Sequence, residues 1–399
     1  MELKPGYKQT EVGVIPEDWD VVTFKEQFSI SAGGDVNQKL SSSYQDEAHC
    51  FPIYSNSLTD AGLYGYCSYA DHPAKSITVT ARGTLGVATY RGQKYTAIGR
   101  VLVLEPKREC VGSFFAEYIN GQVEFAIEST GVPQLTAPQI GGYLIVVPPL
   151  PEQSAIAEAL SDVDDLLSGL DKLIAKKRDL KQAAMQQLLT GKTRLPGFGG
   201  EWVMKRLDEL GVWKGGMTPS MQNPIYWENG DVPWISSGDV KTVLLDKTGF
   251  SITSAAISHG ATTLLPEKSI IVVARSGILR KYLPVAMNVV PMAINQDIKA
   301  LMPSCGFCAS FLLHSLIGSG RRILATCLKA GTTVESIEFR WLKAFMIAVP
   351  PTIEEQTAIA EVLSDMDAEL AALEARRDKT HLLKQGMMHE LLTGKTRLV

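Results

Sequence analysis

The chain has 399 residues, of which 45% are hydrophobic and 21% are charged, and its formal net charge is −4 at pH 7. These fractions are typical of a soluble globular protein, and the length predicts two or more domains. No apolar run approaches the roughly 18 residues of a membrane-spanning helix. The first residues lack the apolar core of a secretory signal, and the six cysteines are scattered along the chain. We therefore expect a cytoplasmic protein without a disulfide framework.

The charges are distributed unevenly along the chain. Residues 1–150 hold 11 Lys and Arg against 16 Asp and Glu, whereas residues 197–348 hold 15 against 11. The second stretch is therefore mildly basic and the first is not. Charge alone leaves nucleic-acid binding an open question.

Residues 1–150 form the first predicted domain. Short β-like runs, among them residues 51–55 and a run from residue 76, are separated by Gly and Pro, and a short helix is predicted over residues 113–119. This pattern is typical of an α+β domain.

The sequence pattern of residues 151–196 predicts one long helix. The strand-like run YLIVV and the pair Pro148-Pro149 precede it, Glu152 suits its positive end, and Gly191 is the predicted stop. About 38 residues correspond to a length of about 57 Å at 1.5 Å per residue. Apolar residues recur at spacings of three and four, which is the pattern of a coiled-coil seam.

Residues 197–350 form the second predicted domain and weakly repeat the first. A short helix is predicted over residues 308–317. Outside the shared landmarks the two domains differ freely, as expected of one scaffold that carries different loops. The landmarks are Trp19 and Trp202, the glycine pairs 33–34 and 215–216, the runs 51–55 and 232–236, the runs from 76 and 269, and the pairs 97–98 and 293–294.

Residues 351–399 repeat the long helix. From Glu152 and Glu355 onward the two copies align without a gap, and more than half of the paired positions are identical. Burying each apolar seam against the other copy is the simplest arrangement; a pair of core helices in a bundle is the alternative, but no further long amphipathic helix is present to complete it. The residues predicted to pair the helices are Leu160, Val163, Leu167, Leu170, Ile174, Leu363, Met366, Leu370 and Leu373, and we also place Leu180 and Leu383 on the seam.

The motifs that suggest catalysis or metal binding are incomplete. T-G-K-T at residues 190–193 and 393–396 resembles the end of a phosphate-binding loop, but Gln186 and His389 replace the required upstream glycine, and the motif ends a helix instead of starting one. A glycine helix stop with a basic tail is the favoured interpretation. Cys305 and Cys308 have zinc-ligand spacing without a second pair, so we expect buried free thiols. No nucleophile motif or methyltransferase tetrapeptide of the N-P-P-[FYW] type is present, and no enzyme is predicted.

Two divergent domains that alternate with two nearly identical helices ending in L-L-T-G-K-T-R-L resemble the specificity subunits of type I restriction–modification enzymes. The resemblance covers essentially the whole chain. Further matching motifs are G-G-x-T-P-S at 215–220, V-P-W-I at 232–235, A-R-S-G at 274–277 and I-N-Q-D at 294–297. The first domain departs from this pattern, because it lacks T-P-S after its glycine pair and has A-I-G at 97–99.

The resemblance implies an α+β fold with two target recognition domains, each of which reads one half of a split DNA sequence. It implies that the helices pair as an antiparallel coiled coil, set the spacing of the domains and dock two methyltransferase subunits. Motor–nuclease subunits complete the complex, and S-adenosylmethionine, ATP and Mg²⁺ are expected on these partners instead of on this chain. We expect no catalytic, metal-binding or membrane-binding site.

Loop position and residue type indicate which side chains could contact DNA, since Asn, Gln, Ser and Arg bond to base edges and Lys and Arg pair with phosphates. An ordinary structural role is an open alternative for each of them, as is a non-DNA scaffold with two ligand-binding domains for the whole chain. The candidates are Tyr54, Asn56, Arg82, Gln134 and Gln139 in the first domain, and Gln222, Asn223, Ser236, Lys241, Arg275, Arg280, Lys281 and Arg321 in the second.

Overall fold

The computed structural model describes residues 4–126, 133–329 and 334–398. The chain divides into two compact units. Unit 1 is Met1–Asp171 with Ala375–Val399, and unit 2 is Lys172–Glu374. Each unit therefore combines one β-rich domain with part of each long helix.

Unit 1 holds two four-stranded sheets and two strand pairs within its described residues. The sheet orders are β10-β6-β7-β5 and β4-β11-β8-β9, and the pairs are β1-β2 and β12-β3. The strands are β1 (Tyr7–Thr10), β2 (Gly13–Pro16), β3 (Asp20–Thr23), β4 (Phe28–Ala32), β5 (Ser41–Ser42), β6 (Phe51–Tyr54), β7 (Leu63–Cys67), β8 (Ser76–Val79), β9 (Ala88–Arg91), β10 (Thr96–Ala97), β11 (Leu102–Pro106) and β12 (Leu144–Val147). The helices are α1 (Phe24–Gln27), α2 (Gly112–Gln122), α3 (Ala137–Gly141) and the first part of α4 (Leu150–Leu188).

Large aromatic side chains pack among aliphatic ones in the core of unit 1. Trp19, Phe28, Phe114 and Phe115 are fully buried, and Phe28 and Phe115 pack edge-on with ring centroids 5.3 Å apart. The two phenylalanines of α2 face the sheet that contains β8. All four residues of β8 are buried, so this strand does not alternate between buried and exposed positions. The start of α4 adds Ile156 to the same cluster.

Unit 2 has the same plan. A five-stranded sheet has the order β14-β22-β19-β20-β16, a four-stranded sheet has the order β17-β15-β21-β18, and β13-β25 and β23-β24 are pairs. The strands are β13 (Val203–Arg206), β14 (Gly211–Gly215), β15 (Val232–Ile235), β16 (Leu244–Leu245), β17 (Phe250–Ile252), β18 (Leu264–Leu265), β19 (Ile270–Val273), β20 (Val285–Asn288), β21 (Met292–Ile294), β22 (Ile298–Pro303), β23 (Leu328–Lys329), β24 (Ser336–Ile337) and β25 (Met346–Val349). The helices are α5 (Ser254–Ser258), α6 (Ala309–Cys327), α7 (Phe339–Ala344) and α8 (Ile353–Leu391), which begins in this unit.

The core of unit 2 lies between the five-stranded sheet and α6. The sequence IIVV of β19 is buried at every position, as expected of a central strand covered on both faces. Phe311, Leu312 and Leu316 of α6 are fully buried against it, together with Leu363 of α8. The predicted α+β class and the predicted internal repeat are therefore confirmed.

The long helices α4 and α8 run antiparallel within each unit, as the sequence of ion pairs shows. In unit 1, Asp164 pairs with Lys384 at 2.7 Å and Asp171 pairs with Arg377 at 3.7 Å. In unit 2, Lys177 pairs with Glu369 at 2.6 Å, and Lys181 pairs with Asp367. The partner's number on α8 falls as the number on α4 rises through these four pairs. The residues predicted for helix pairing are buried or half-buried, namely Leu160, Val163, Leu167, Leu170, Ile174, Leu363, Met366, Leu370 and Leu373.

Two residues placed on the seam by the sequence lie outside it. Leu180 is 47% exposed and Leu383 is 59% exposed. From Ile174 the partly buried stripe continues through Lys177 and Lys181, which keep the spacing of three and four. The ammonium groups of these half-buried lysines reach carboxylates on α8, so a charged residue type continues the stripe.

The T-G-K-T segments end the long helices, as predicted. Gly191 and Gly394 both have φ of +70°, the left-handed conformation of a glycine that stops a helix. The hydroxyl of Thr190 donates to the carbonyl of Gln186 at 2.7 Å, and that of Thr393 to the carbonyl of His389 at 2.6 Å. These threonines satisfy helix-end carbonyls, which is a structural role.

The expectation of buried thiols was wrong in one respect. Cys327 is buried and Cys308 is half-buried, but Cys305 is exposed because it lies in the turn that precedes α6. In the described parts of the chain, no group of three or more His, Cys, Asp and Glu is arranged to hold a metal ion. No helix within the same ranges is both long and apolar enough to cross a membrane.

Candidate functional site

Three loops of unit 1 meet where β6, β8 and β10 end. Strands β6 and β10 are parallel with Tyr54 opposite Ala97, so both end on the same side. The side chain of Asn56 links the three loops, because its amide donates to the carbonyl of Gly99 at 2.5 Å and its oxygen accepts from the N–H of Ala81 at 2.7 Å. We call this surface the loop edge of unit 1; its segments are residues 33–34, 54–56, 81–82, 98–101 and 134–135.

Gly33 allows one of these segments to approach the others. A Cβ atom on Gly33 would lie 2.7 Å from the carbonyl carbon of Ala97 and 2.8 Å from the nitrogen of Ile98. The N–H of Gly33 donates to the carbonyl of Val101 at 2.8 Å. Only glycine fits this close backbone contact, which accounts for the first residue of the glycine pair. A Cβ on Gly34 would meet nothing within 4 Å.

Four predicted contact residues of the first domain come together at this loop edge. Arg82 and Gln134 form a β-bridge and both are exposed. Tyr54 lies under the guanidinium of the buried Arg91, whose Cζ is 3.5 Å from the ring centroid. Both the nitrogen and the oxygen of the Asn56 side-chain amide are engaged in the loop hydrogen bonds described above. Arg82 and Gln134 are therefore the members of this group with side chains directed at solvent.

Gln139 has a local structural role instead. Its side-chain oxygen accepts from the N–H of Thr136 at 2.9 Å and from the Thr136 hydroxyl at 2.8 Å. These bonds form a capping box at the start of α3. The side-chain oxygen of Gln139 therefore bonds to Thr136, which is not part of the segments that form the loop edge.

The corresponding loops of unit 2 meet in the same way. Strands β15 and β21 are parallel with Ile235 opposite Ile294, and the N–H of Asn295 donates to the carbonyl of Ile235 at 3.0 Å. The carbonyl of Asp297 accepts from the N–H groups of Ala274 and Arg275, at 2.8 and 3.1 Å. The loop edge of unit 2 consists of residues 215–218, 235–239, 274–281, 294–297 and 335–337.

Gly216 takes the place of Gly33 in this unit. A Cβ on Gly216 would lie 2.1 Å from the carbonyl oxygens of Ile294 and Asn295. The following residues are tied to the same segment, because the N–H of Met217 donates to the carbonyl of Ile294 at 3.1 Å and the hydroxyl of Thr218 donates to the side chain of Gln296. The two glycine pairs therefore serve the same close approach in both units.

Arg275 and Arg280 of the unit 2 loop edge differ in the contacts that they make. Arg275 forms a β-bridge with Ser336, the position that Gln134 occupies opposite Arg82 in unit 1, and it is exposed. Arg280 donates to Glu335 at 2.5 Å, and this hydrogen bond holds the pKa of Glu335 below its ordinary value. Lys281 follows Arg280 and is exposed.

Ser236 and Asp239 fix the loop after β15. The hydroxyl and the N–H of Ser236 both donate to one carboxylate oxygen of Asp239, at 2.6 and 2.8 Å. Burial raises the pKa of Asp239, but the hydrogen bonds from Ser236 and Gly249 outweigh it and the pKa is lowered. Lys241 is exposed at the end of this loop. Ser236 is therefore a loop-bracing residue in this structure.

Three other candidates of the second domain lie elsewhere. Gln222 is exposed, and Asn223 caps the 3-10 helix Pro224–Tyr226, where its side-chain oxygen accepts from the N–H of Ile225 at 3.3 Å. Arg321 is on α6, in a groove of about 890 Å³ whose wall also includes Arg322 and residues of α4. This groove is separate from the loop edge.

Arg100 and Gln296 also lie at the loop edges, although the sequence analysis did not select them. Both lie in the turn between the short parallel strand and the next strand, at 98–101 in unit 1 and 294–297 in unit 2, and Arg100 is exposed. In the sequence, the motif I-N-Q-D lies at the turn of unit 2, and the motif A-I-G at 97–99, which departs from the family pattern, lies at the turn of unit 1. The arginine that directly follows this motif in the sequence was the available signal.

Comparison with known proteins agrees with this architecture. The profile of the family described as "Type I restriction modification DNA specificity domain" matches residues 16–177 and 199–381. The chain is 37% identical over 215 residues to the type I restriction enzyme EcoR124I/EcoR124II specificity subunit of Escherichia coli, a match that covers 54% of this chain and 52% of that one. The chain therefore spans about half the length of that relative.

A second relative and a solved structure match over nearly the whole length. The type I restriction enzyme MjaVIII specificity subunit of Methanocaldococcus jannaschii is 24% identical over 425 residues, covering 96% of this chain and 94% of that one. The crystal structure of a type I restriction–modification S subunit from M. genitalium has a TM-score of 0.64 at 15% identity and covers 98% of both chains. That structure shares the fold. Because the family profile matches both domains, this chain belongs to the type I restriction modification DNA specificity family.

Proposed function

We propose that this chain is the DNA-sequence-reading subunit of a type I restriction–modification complex, with one half of a split, asymmetric site read at each loop edge. One observation carries the proposal. Equivalent turns, strand ends and glycine contacts in the two units present polar side chains at the same place in the fold, and these side chains are only partly the same. Arg82 and Arg275 occupy equivalent positions, whereas Gln134 of unit 1 is replaced by Ser336 in unit 2.

The residue types at both loop edges suit contact with DNA. Arginine and glutamine form paired hydrogen bonds with the major-groove edges of guanine and adenine, and exposed Lys and Arg neutralise phosphates. Arg275, Lys281 and Lys241 are exposed in unit 2, whose domain is the more basic of the two. We therefore expect unit 2 to contribute the larger share of phosphate contacts.

We further propose that α4 and α8 set the spacing between the half-sites and dock two methyltransferase subunits. A helix of 39 residues is about 58 Å long, which corresponds to roughly 17 base pairs of duplex. One face of α4 supports docking, because Leu166, Leu173 and Leu180 are exposed at seven-residue intervals. Such a stripe is typical of a second helix-pairing seam.

In this proposal the chemistry belongs to the partners. The methyltransferase subunits bind S-adenosylmethionine, the motor–nuclease subunits bind ATP and Mg²⁺, and the complex acts in the cytoplasm. This chain contributes the choice of site and no catalytic group.

The direct test is methylation profiling by long-read sequencing of a strain that carries this gene with its methyltransferase partner. We expect one split, asymmetric motif with a methylated adenine in each half, and exchange of residues 1–150 for another domain should change one half only. A control strain with another specificity subunit establishes that the partner is active. If that control gives its own motif and this chain gives none, DNA targeting is ruled out and a non-DNA scaffold takes its place.

A further inference from the structure

The turn that joins β10 to β11 has an unusual residue at its tip. Gly99 has φ of +66° and Arg100 has φ of +68°, and the N–H of Val101 donates to the carbonyl of Ile98 at 3.4 Å. Two consecutive positive φ angles are the pattern of a type I′ turn. The second central position of such a turn is ordinarily glycine, since a side chain there is strained. An arginine at this position costs stability that glycine would not.

The turn is also held firmly from two sides. The amide of Asn56 donates to the carbonyl of Gly99 at 2.5 Å, and the N–H of Arg100 donates to the carbonyl of Gly33 at 3.2 Å. The close approach of Gly33 to Ala97 and Ile98 fixes the same segment. The Cα of Arg100 is therefore placed by the backbone and not by contacts of its own side chain.

The guanidinium of Arg100 is free to bind a ligand. Across residues 4–126, 133–329 and 334–398, no carboxylate, carbonyl or aromatic ring pairs with it. The turn at the same place in unit 2 is different, because Gln296 there accepts a hydrogen bond from Thr218 of its own domain. Arg280, another exposed arginine of a loop edge, is engaged by Glu335.

We propose that Arg100 is a specificity-determining residue that reads a guanine in the half-site of unit 1. The assignment rests on the proposed function. The five donors of a guanidinium match the O6 and N7 acceptors of guanine in the major groove, which is the commonest specific contact between a side chain and a base. A phosphate contact needs only a charge on a flexible stem, so it does not require a strained residue on a rigid turn. Recognition of a base edge needs a fixed direction of approach, and this turn supplies it.

The test compares Arg100→Gly and Arg100→Ala with the wild type by methylation profiling, and with Arg108→Ala as the matched control. Arg108 is an exposed arginine beyond the other end of β11. We expect one guanine position in one half of the motif to become degenerate in both Arg100 variants, with a loss of preference of about 10-fold or more. Arg108→Ala should leave the motif unchanged. Arg100→Gly should unfold at a temperature no lower than the wild type, because glycine removes the strain of the turn.

Four outcomes would overturn the assignment. An unchanged motif in Arg100→Gly, with normal stability, shows that the side chain reads no base. Weaker binding to every sequence with a smaller salt dependence, and no change in motif, identifies a phosphate contact. A lower unfolding temperature in Arg100→Gly identifies a structural residue. Absence of any motif for the wild type, when the partner is active, rejects the proposed function and this assignment together, whereas a wild-type motif that Arg100 does not affect rejects this assignment alone.

Discussion

Arg397, in the tail that follows α8, donates to the buried carboxylate of Glu152 at 2.5 Å, although the two residues are 245 positions apart in the chain. The same carboxylate accepts from the indole N–H of Trp19 at 2.7 Å, and Arg397 also bonds to Asp18 at 2.8 Å. Unit 2 repeats the arrangement with Arg194, Glu355 and Trp202. The basic tail after each T-G-K-T segment therefore joins the start of the other long helix to the start of a β-rich domain.

Removing Arg397 is expected to destabilise unit 1. In Arg397→Ala the carboxylate of Glu152, which is fully buried, keeps only the bond from Trp19, and an unpaired buried charge costs about 3 kcal/mol. The pKa of Asp18, lowered mainly by its hydrogen bond to Arg397, should return towards its ordinary value. Denaturant unfolding measures the loss. Lys395→Ala, in the same exposed tail, is the control, and equal stability of the two variants would contradict the role of the ion pair.

The two glycines of the first pair are expected to respond differently to a single methyl group. In Gly33→Ala the new Cβ would overlap the backbone of Ala97 and Ile98, so the loop edge must shift at a cost of about 1–3 kcal/mol. In Gly34→Ala the new Cβ meets nothing. Specific DNA binding, measured by fluorescence anisotropy on the methylation motif, should weaken at least 10-fold in Gly33→Ala only. A loss of binding in both variants would point away from the close approach as the cause.

His314 of α6 is expected to make stability depend on pH. It is 1% exposed, and its Nε2 lies 3.1 Å from the hydroxyl oxygen of Ser364. Its Nδ1 has no hydrogen-bond partner among the described residues and lies 4.0 Å from a carboxylate oxygen of Asp367. Burial lowers its pKa to about 4, although the nearby Asp367 acts in the opposite direction. The positive charge of Lys181, which pairs with Asp367, lowers the pKa of His314 further.

The sign of the pH effect follows from the number of protons that His314 binds in the folded and in the unfolded chain. Between pH 6.5 and 4 the unfolded chain binds a proton at His314 and the folded chain does not, so the free energy of unfolding falls as the pH falls, by up to about 1.4 kcal/mol per unit. Above pH 6.5 His314 is neutral in both the folded and the unfolded state, so its effect on the free energy of unfolding no longer changes with pH. Comparing unfolding of the wild type and His314→Gln across this range isolates it. Parallel curves for the two proteins would show that His314 is not the titrating group.

Most helices and strands could be predicted from the sequence because they depend on local patterns that occur twice in the chain. The helix stops at Gly191 and Gly394 follow from a residue type with a conformational preference, and the strands β8 and β19 follow from apolar runs between turns. The paired glycines were recognised as landmarks, but the backbone that Gly33 approaches could not be named. Such a contact depends on a segment more than sixty residues away.

Several side chains make contacts in the structure that the sequence could not identify. Glu152 lies in the first turn of α4, as expected from the helix dipole, but its partners Trp19 and Arg397 are not local in sequence. Leu180 was placed on the seam because it is apolar, whereas the spacing selects Lys181, whose charge is balanced by Asp367 on the other helix. Asn56 and Ser236 were chosen by residue type, and only the loop contacts reveal that both brace the backbone.

The exposed stripe on α4 leads to a prediction about assembly. Leu166, Leu173 and Leu180 are 42%, 39% and 47% exposed, whereas the equivalent positions of α8 are Glu369, Arg376 and Leu383. Replacing the three leucines of α4 by Gln should leave the unfolding temperature nearly unchanged, because little buried apolar area is lost.

The same variant should bind its methyltransferase partner at least 10-fold more weakly, since helix pairing depends on such a stripe. Sedimentation velocity of the co-expressed proteins measures the complex. Leu244→Gln, which alters a 52% exposed leucine of a β-rich domain, is the control for a general loss of surface apolarity. If the triple variant assembles as well as Leu244→Gln does, the stripe is not a docking surface, and the partner must bind α8 or the β-rich domains. If assembly is lost while DNA binding by the isolated chain persists, docking and sequence reading reside on different surfaces of the chain.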